Sequence, residues 1–384
     1  MLDKNINLRS LYKYLIFILF AFTSTISIFF TTNNVLNKLV FLLNILALTL
    51  GIIYTFCFFN NKTNIIYFLF LFILILFWGR NYLLFNIICY VVAFIPLYSQ
   101  EIISFYEWSS LIQLLLGIIL SICGILPIRN YLTNTITLGF INENGLGMVL
   151  CVFTLTFLIE GKDKHLFLTD KKYKYVFLIL ILCIEGKILQ DFTAIAILLV
   201  FIGLGYVFQK NNSKSLIGII TLVIPSILCY IAVYISKNFT FTSNFWKNLN
   251  NIITLRPMIW NHYYLMYPHG PMPIKWLVDR NYVGGAIDGT YIYLYIFEGY
   301  IFLILFVTIL TISNFLLALQ EDYILLAGMI AFEIGSFVEN IGINYGQSFL
   351  IIVGFLSLNY SWLRMNNLKD SPKLYKRRID RNDS

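Results

Sequence analysis

Residues 216–235 read LIGIITLVIPSILCYIAVYI, twenty positions without a charged side chain. At a helical rise of about 1.5 Å per residue the run is about 30 Å long, the thickness of a bilayer's hydrocarbon core. A stretch of different character follows at 236–288, and then a second apolar run begins. The intervening stretch holds two of the three histidines, three of the six tryptophans, four of the eight prolines and five of the 27 basic residues. That concentration puts the chain's chemistry in one loop, on one side of a membrane.

The rest of the chain repeats the apolar pattern. With 59% hydrophobic residues, 12% charged residues and a mean hydropathy of +0.79, it could not cover its apolar surface with polar groups, which excludes a soluble domain. The expected fold is all-α, a polytopic transmembrane helical bundle of about 12 spans. They lie near 11–30, 39–59, 64–79, 82–98, 109–126, 143–159, 174–188, 190–208, 216–235, 289–312, 323–338 and 347–363. Residues 1–384 form a single integral membrane domain in this reading, with 236–288 as one large outward-facing loop between spans 9 and 10 and 364–384 as a basic cytoplasmic tail. The run at 11–30 is too long for a signal-peptide core and lacks a small-residue cleavage pattern, so it is expected to be a span. Trp78 and Trp362 fall at span ends, where interfacial anchors are expected.

Basic residues set the orientation. An N-terminus inside puts 18 of the 27 lysines and arginines on the cytoplasmic side and nine outside, the bias that the positive-inside rule expects. The long loop then faces outward, away from nucleotide-sugar pools. All six cysteines lie in expected spans, and neither a disulfide framework nor a zinc or haem pattern is present. Carboxylates at metal-ligand spacing are also missing, so the expected chemistry uses no metal and no cofactor. The net charge of +8 is mostly the cytoplasmic rim and tail, which suits anionic membrane lipids rather than nucleic acid.

The basic residues outside the cytoplasm are few: Lys38, Arg80, Arg129, Lys187, Lys237, Lys247, Arg256, Lys275 and Arg280. As a set they suit an anion, and the planar fork of arginine suits the two-point grip of a phosphate. Acids near the outer mouth are Glu143, Glu185, Asp191, Asp288 and Glu339. Glu298 follows Asp288 by ten residues, so on a continuous helix it would sit about 15 Å lower, near mid-membrane. A carboxylate there is a candidate functional group by default. His262 and His269 stand in the long loop as candidate bases, and no histidine falls in a span.

Three segments resemble the O-antigen and capsular polysaccharide polymerase (Wzy) family and its relatives in the O-antigen ligase-like superfamily. Gly139-Phe140-Ile141-Asn142-Glu143-Asn144-Gly145-Leu146-Gly147 is similar to the family's Gly-Phe-x-Asn-x-Asn-x-x-Gly stretch. Arg256-Pro257-Met258-Ile259-Trp260, followed by Pro268 and Gly270, is similar to its Arg-x-x-x-Trp and downstream Pro/Gly pattern. Asp288-Gly289, then nine residues and Gly299, resembles the ligases' His-(Asn/Ser/Gln)-x9-Gly motif, with Asp for His and Gly for the amide or hydroxyl residue, a departure that leans towards a polymerase. A second departure is Gln190-Asp191-Phe192-Thr193-Ala194, which stands where members often carry Ser-Arg; Lys187, Arg129 or Arg80 would have to replace the missing cation.

The resemblance implies transfer of a glycan from undecaprenyl pyrophosphate to a sugar hydroxyl of a second lipid-linked repeat unit, with inversion, at the outer face of a bacterial cytoplasmic membrane. Both termini would be cytoplasmic. Partners would be the lipid-linked repeat units, membrane lipids and a chain-length regulator protein. In that frame Arg256 contacts the pyrophosphate with Arg280 or Arg129 assisting, and Asp288 or His262 positions the acceptor hydroxyl. Arg80, Lys187, Asn142, Asn144, Trp260 and Tyr291 complete the expected substrate-binding set. A lipid-linked oligosaccharide flippase or an O-antigen ligase are the alternatives; a transporter usually shows two related halves, and no internal repeat is visible.

The orientation predicts that a cysteine placed at Lys247 in whole cells reacts with a membrane-impermeant maleimide. One placed in the 364–384 tail reacts only after permeabilisation. The reverse pattern would invert the topology.

Overall fold

The computed structural model describes residues 2–29, 33–58, 62–78, 82–129, 135–140, 143–159, 172–210, 214–267, 269–273, 287–359 and 362–363. Among them the chain is helical throughout, and the bridge between Arg129 and Ile136 is the one β-pairing. The α-helices in chain order are α1 (Leu2–Phe29), α2 (Asn34–Phe58), α3 (Lys62–Trp78), α4 (Tyr82–Phe94), α5 (Ser99–Ile122), α6 (Glu143–Ile159), α7 (Lys172–Ile184) and α8 (Phe192–Lys210). There follow α9 (Lys214–Asn238), α10 (Asn244–Ile252), α11 (Arg256–Met266), α12 (Thr290–Tyr293), α13 (Tyr300–Leu319), α14 (Tyr323–Val338) and α15 (Leu350–Ser357).

Among the described residues five stretches are long and apolar enough to cross a bilayer: Leu8–Phe29, Asn34–Phe58, Ser99–Ile122, Ile217–Asn238 and Tyr300–Leu319. Shorter apolar helices cover Asn64–Phe77, Leu84–Phe94, Asn144–Ile159, Phe192–Phe208 and Tyr323–Val338. This is a helical membrane protein. Two expected spans take other forms: 174–188 is α7 followed by a π-helical turn at Glu185–Leu189, and 347–363 contains the eight-residue α15.

The chain divides into two compact units, residues 1–192 with 345–384, and residues 193–344. In the first, α1 packs on α2 and α5, α2 on α4, and α5 on α6. A Cβ at Gly51 would stand 2.8 Å from the Cα of Ala93, so the close approach of α2 to α4 needs glycine there. The Asn44 amide donates to Asn86 Oδ1 at 2.7 Å inside the same contact. Glu101 accepts from Arg9 at 3.1 Å and from the Tyr98 N–H at 2.9 Å, which caps the first turn of α5. With its charges capped and paired, that helix starts at Ser99, ten residues before the expected 109. Trp362 is not an interfacial anchor; it is buried and its indole donates to the Leu97 carbonyl at 2.9 Å.

In the second unit α9 packs on α11, α13 and α14, and α12 lies against α9 and α14. The expected span at 289–312 is broken at Gly299, where φ is +85°. Before the break come α12 and a π-helical turn, Leu294–Glu298; after it comes α13. The Tyr291 ring meets Phe306 edge-on at 6.1 Å, so residues 290–298 fold back along the start of α13. Glu298 therefore stands beside the N-terminus of α13, and the continuous helix on which it was expected about 15 Å from Asp288 is interrupted. The cause lies in residues 269–273. The Tyr300 and Ile301 N–H groups donate to the carbonyls of Gly270 (3.1 Å) and Pro271 (3.3 Å), supplying partners that a helix start otherwise lacks. A Cβ at Gly299 would fall 2.6 Å from the Pro271 oxygen.

Gly299→Ala should lower the thermal midpoint of the detergent-purified protein, since the positive φ and the collision together cost about 1–3 kcal/mol. Gly203→Ala, in α8 with nothing within 4 Å of the new methyl, should hold or raise it. Equal midpoints for the two variants would mean that residues 270–272 do not fix the break.

Candidate functional site

The site is built on α11. Ser243 caps α10 by accepting from the Phe245 N–H, and the buried Asn250 then turns the chain: its carbonyl accepts from the Leu255 N–H (2.7 Å) and its side chain from the Met258 N–H (3.1 Å). Thr254 and Leu255 are left-handed, with φ of +51° and +64°, and Pro257 starts the new helix where a missing N–H costs nothing. Arg256, Trp260 and Tyr263 recur at helical spacing and share the buried face.

On that face Arg256 lies between two carboxylates. Its guanidinium donates to Glu339 Oε1 and stands 3.6 Å from Asp288 Oδ2. Arg256 is 8% exposed, and its Nε–H has no hydrogen-bond partner. Backbone contacts hold the carboxylates in register. The Thr290 N–H and hydroxyl both donate to the Glu339 carbonyl (3.2 and 3.0 Å), the Gly342 N–H donates to the Thr290 hydroxyl (3.1 Å), and the Asn340 amide donates to the Ile287 carbonyl (2.6 Å). The Trp260 indole donates to the Asp288 carbonyl and covers Gly289, whose φ of +100° and lack of a Cβ allow the ring so close. Burial pushes the Asp288 carboxyl up from its ordinary value, and Arg256 offsets part of that rise. A carboxylate so placed can accept a proton, and an arginine so fixed can orient it.

Of the residues expected from sequence, Arg256, Asp288 and Trp260 come together here. Tyr291 is buried one turn on, with its hydroxyl 3.5 Å from the Glu333 carbonyl. His262 is exposed off the buried face, its ring edge-on to Tyr263 at 6.4 Å. Arg129 and Lys187 are exposed and Asn144 half-buried; all three belong to the other compact unit. Arg80, Asn142 and Arg280 lie outside the described residues. Glu339 was legible only as an acid near the outer mouth, because its pairing joins positions 83 residues apart. In the first unit, the Gly139–Gly147 segment meets the Gln190–Ala194 stretch at one point: a Cβ at Gly147 would stand 2.4 Å from an Asp191 carboxylate oxygen and 2.9 Å from one of Glu185.

No protein-family model, curated protein or solved structure matches this chain.

Glu339→Ala removes the nearer partner of Arg256 and leaves Asp288 at 3.6 Å, so it should lower stability by less than the about 3–5 kcal/mol of a buried pair broken outright. Arg256→Met combined with Glu339→Leu and Asp288→Asn should recover most of the loss, because no member of the trio then stays ionised. Thermal unfolding in detergent reads both. A wild-type midpoint for Glu339→Ala would contradict the buried pairing.

Proposed function

We propose that this chain is a polysaccharide repeat-unit polymerase, an inverting membrane glycosyltransferase that moves a glycan from undecaprenyl pyrophosphate to a sugar hydroxyl of another lipid-linked repeat unit. The reading includes about 12 spans, both termini in the cytoplasm of a bacterium and chemistry at the outer face of its cytoplasmic membrane, without a metal. The observation that carries it is the buried Arg256 guanidinium held between Asp288 and Glu339.

In the reaction the acceptor oxygen attacks the anomeric carbon, the bond from that carbon to the pyrophosphate oxygen breaks, and the bonding pair leaves with the pyrophosphate. Asp288 takes the hydroxyl proton. With both acids ionised, Arg256, Asp288 and Glu339 together carry one net negative charge, which opposes an anionic leaving group. Proton transfer to Asp288 removes that charge as negative charge builds on the pyrophosphate, so the electrostatic barrier falls along the reaction. Arg280 and Lys275 in the same loop supply further cations. The apolar flanks of the helices suit the polyprenyl chain.

Asp288→Asn, expressed at the wild-type level in a strain lacking the native gene, should reduce the surface glycan from a ladder to single repeat units. With purified protein, activity should rise with pH as Asp288 ionises, with the midpoint displaced upward from that of an ordinary aspartate, since the ionised form is the base and its folded pKa is raised. A full ladder from Asp288→Asn would remove Asp288 from the mechanism.

A further inference from the structure

Eight residues along α11 from Arg256, about 12 Å at helical rise, a second group of rings lies on the same two segments. Tyr264 and His269 have ring centroids 4.0 Å apart, His269 and Tyr295 5.3 Å apart, and Tyr264 and Tyr295 are parallel to within 5° at 6.2 Å. Tyr264 and Tyr295 are half-buried and His269 is exposed. On the same segments Tyr263 stacks on Tyr267 at 5.7 Å and Tyr267 meets Phe297 at 6.1 Å. His269 is fixed in turn because Gly270 and Pro271, the next two residues, cap α13. The three rings thus pack on one another and stay in part open to solvent.

We propose that Tyr264, His269 and Tyr295 form a stacking subsite for a pyranose ring of the glycan, about two helical turns from the Arg256 site. The proposal rests on the reading of that site as one that handles glycans. The C–H face of a pyranose carries partial positive charge and complements the negative face of an aromatic ring. The phenol hydroxyls and the imidazole nitrogens supply the donors and acceptors that sugar hydroxyls need. Partial burial lowers the His269 pKa, against a hydrogen bond with the Tyr264 backbone that raises it, so the imidazole meets the sugar uncharged at neutral pH. A polyprenyl chain would gain little from rings edged with polar atoms. A sugar held here sits within reach of Asp288 through one or two further residues of the same oligosaccharide.

The test is saturation-transfer NMR on the full-length protein in lipid nanodiscs, with lactose and cellobiose as probes and choline as a competitor. Saturating the aromatic protons should transfer to the sugar C–H protons. Tyr295→Leu and Tyr264→Leu should weaken binding roughly three- to tenfold, Tyr295→Trp should retain it, and Gly203→Ala, in α8 with nothing within 4 Å of the new methyl, should bind as wild type. Equal transfer in wild type and Tyr295→Leu, or displacement of the sugar by choline, would overturn the subsite. A ring-dependent signal from a protein that makes no polymer in cells would instead overturn the polymerase reading and leave the subsite standing.

Discussion

One arginine fixes the second unit. A guanidinium in an apolar bundle is tolerated only where anions meet it, and Arg256 meets two, Glu339 and Asp288, brought from positions 83 and 32 residues away. The pairing constrains three backbones at once: the left-handed turn at Thr254–Leu255, the segment at 287–290 and the end of α14. Removing either carboxylate changes more than a charge, because Thr290, Asn340 and Trp260 are aligned on the same backbone atoms. The site is therefore part of the packing that holds α11 against the helices behind it.

Much of the fold was legible because bilayer crossing has a compositional signature. The run at 216–235 is recognisable from its own side chains and lies within α9 as described. The break at Gly299 is not, because a glycine amid apolar residues is compatible with a continuous helix. Its positive φ is set by residues 270–272, about thirty positions earlier, docking on the start of α13. The same limit applies to α5, whose first turn carries a glutamate that reads as a boundary until Arg9 and the Tyr98 N–H are seen to meet it.

The site was legible in part, and for a related reason. Arg256, Trp260 and Asp288 were singled out by the motifs they share with the family they resemble, Arg256 and Asp288 also as charges near the outer mouth, and the structure brings them together. Glu339 was visible only as an acid near the outer mouth, since no local pattern ties it to α11. His262 was a candidate by residue type alone, and its position off the buried face of α11 separates it from Asp288. Ring clusters such as Tyr264, His269 and Tyr295 are harder still to read: tyrosines are common throughout this chain, and only the fold shows which three converge.

In the proposed reading these features divide one task between them: the buried arginine would orient an acid whose pKa burial raises, and the rings would receive an oligosaccharide that extends away from it. The direct measurement is reconstitution: purified protein in liposomes, supplied with pyrophosphate-linked repeat units extracted from a strain lacking this gene, followed by mass spectrometry. The account predicts that units join into a ladder and that one polyprenyl pyrophosphate is released for each bond formed. Folded protein that leaves the units unjoined, or moves them across the bilayer without joining them, would contradict it.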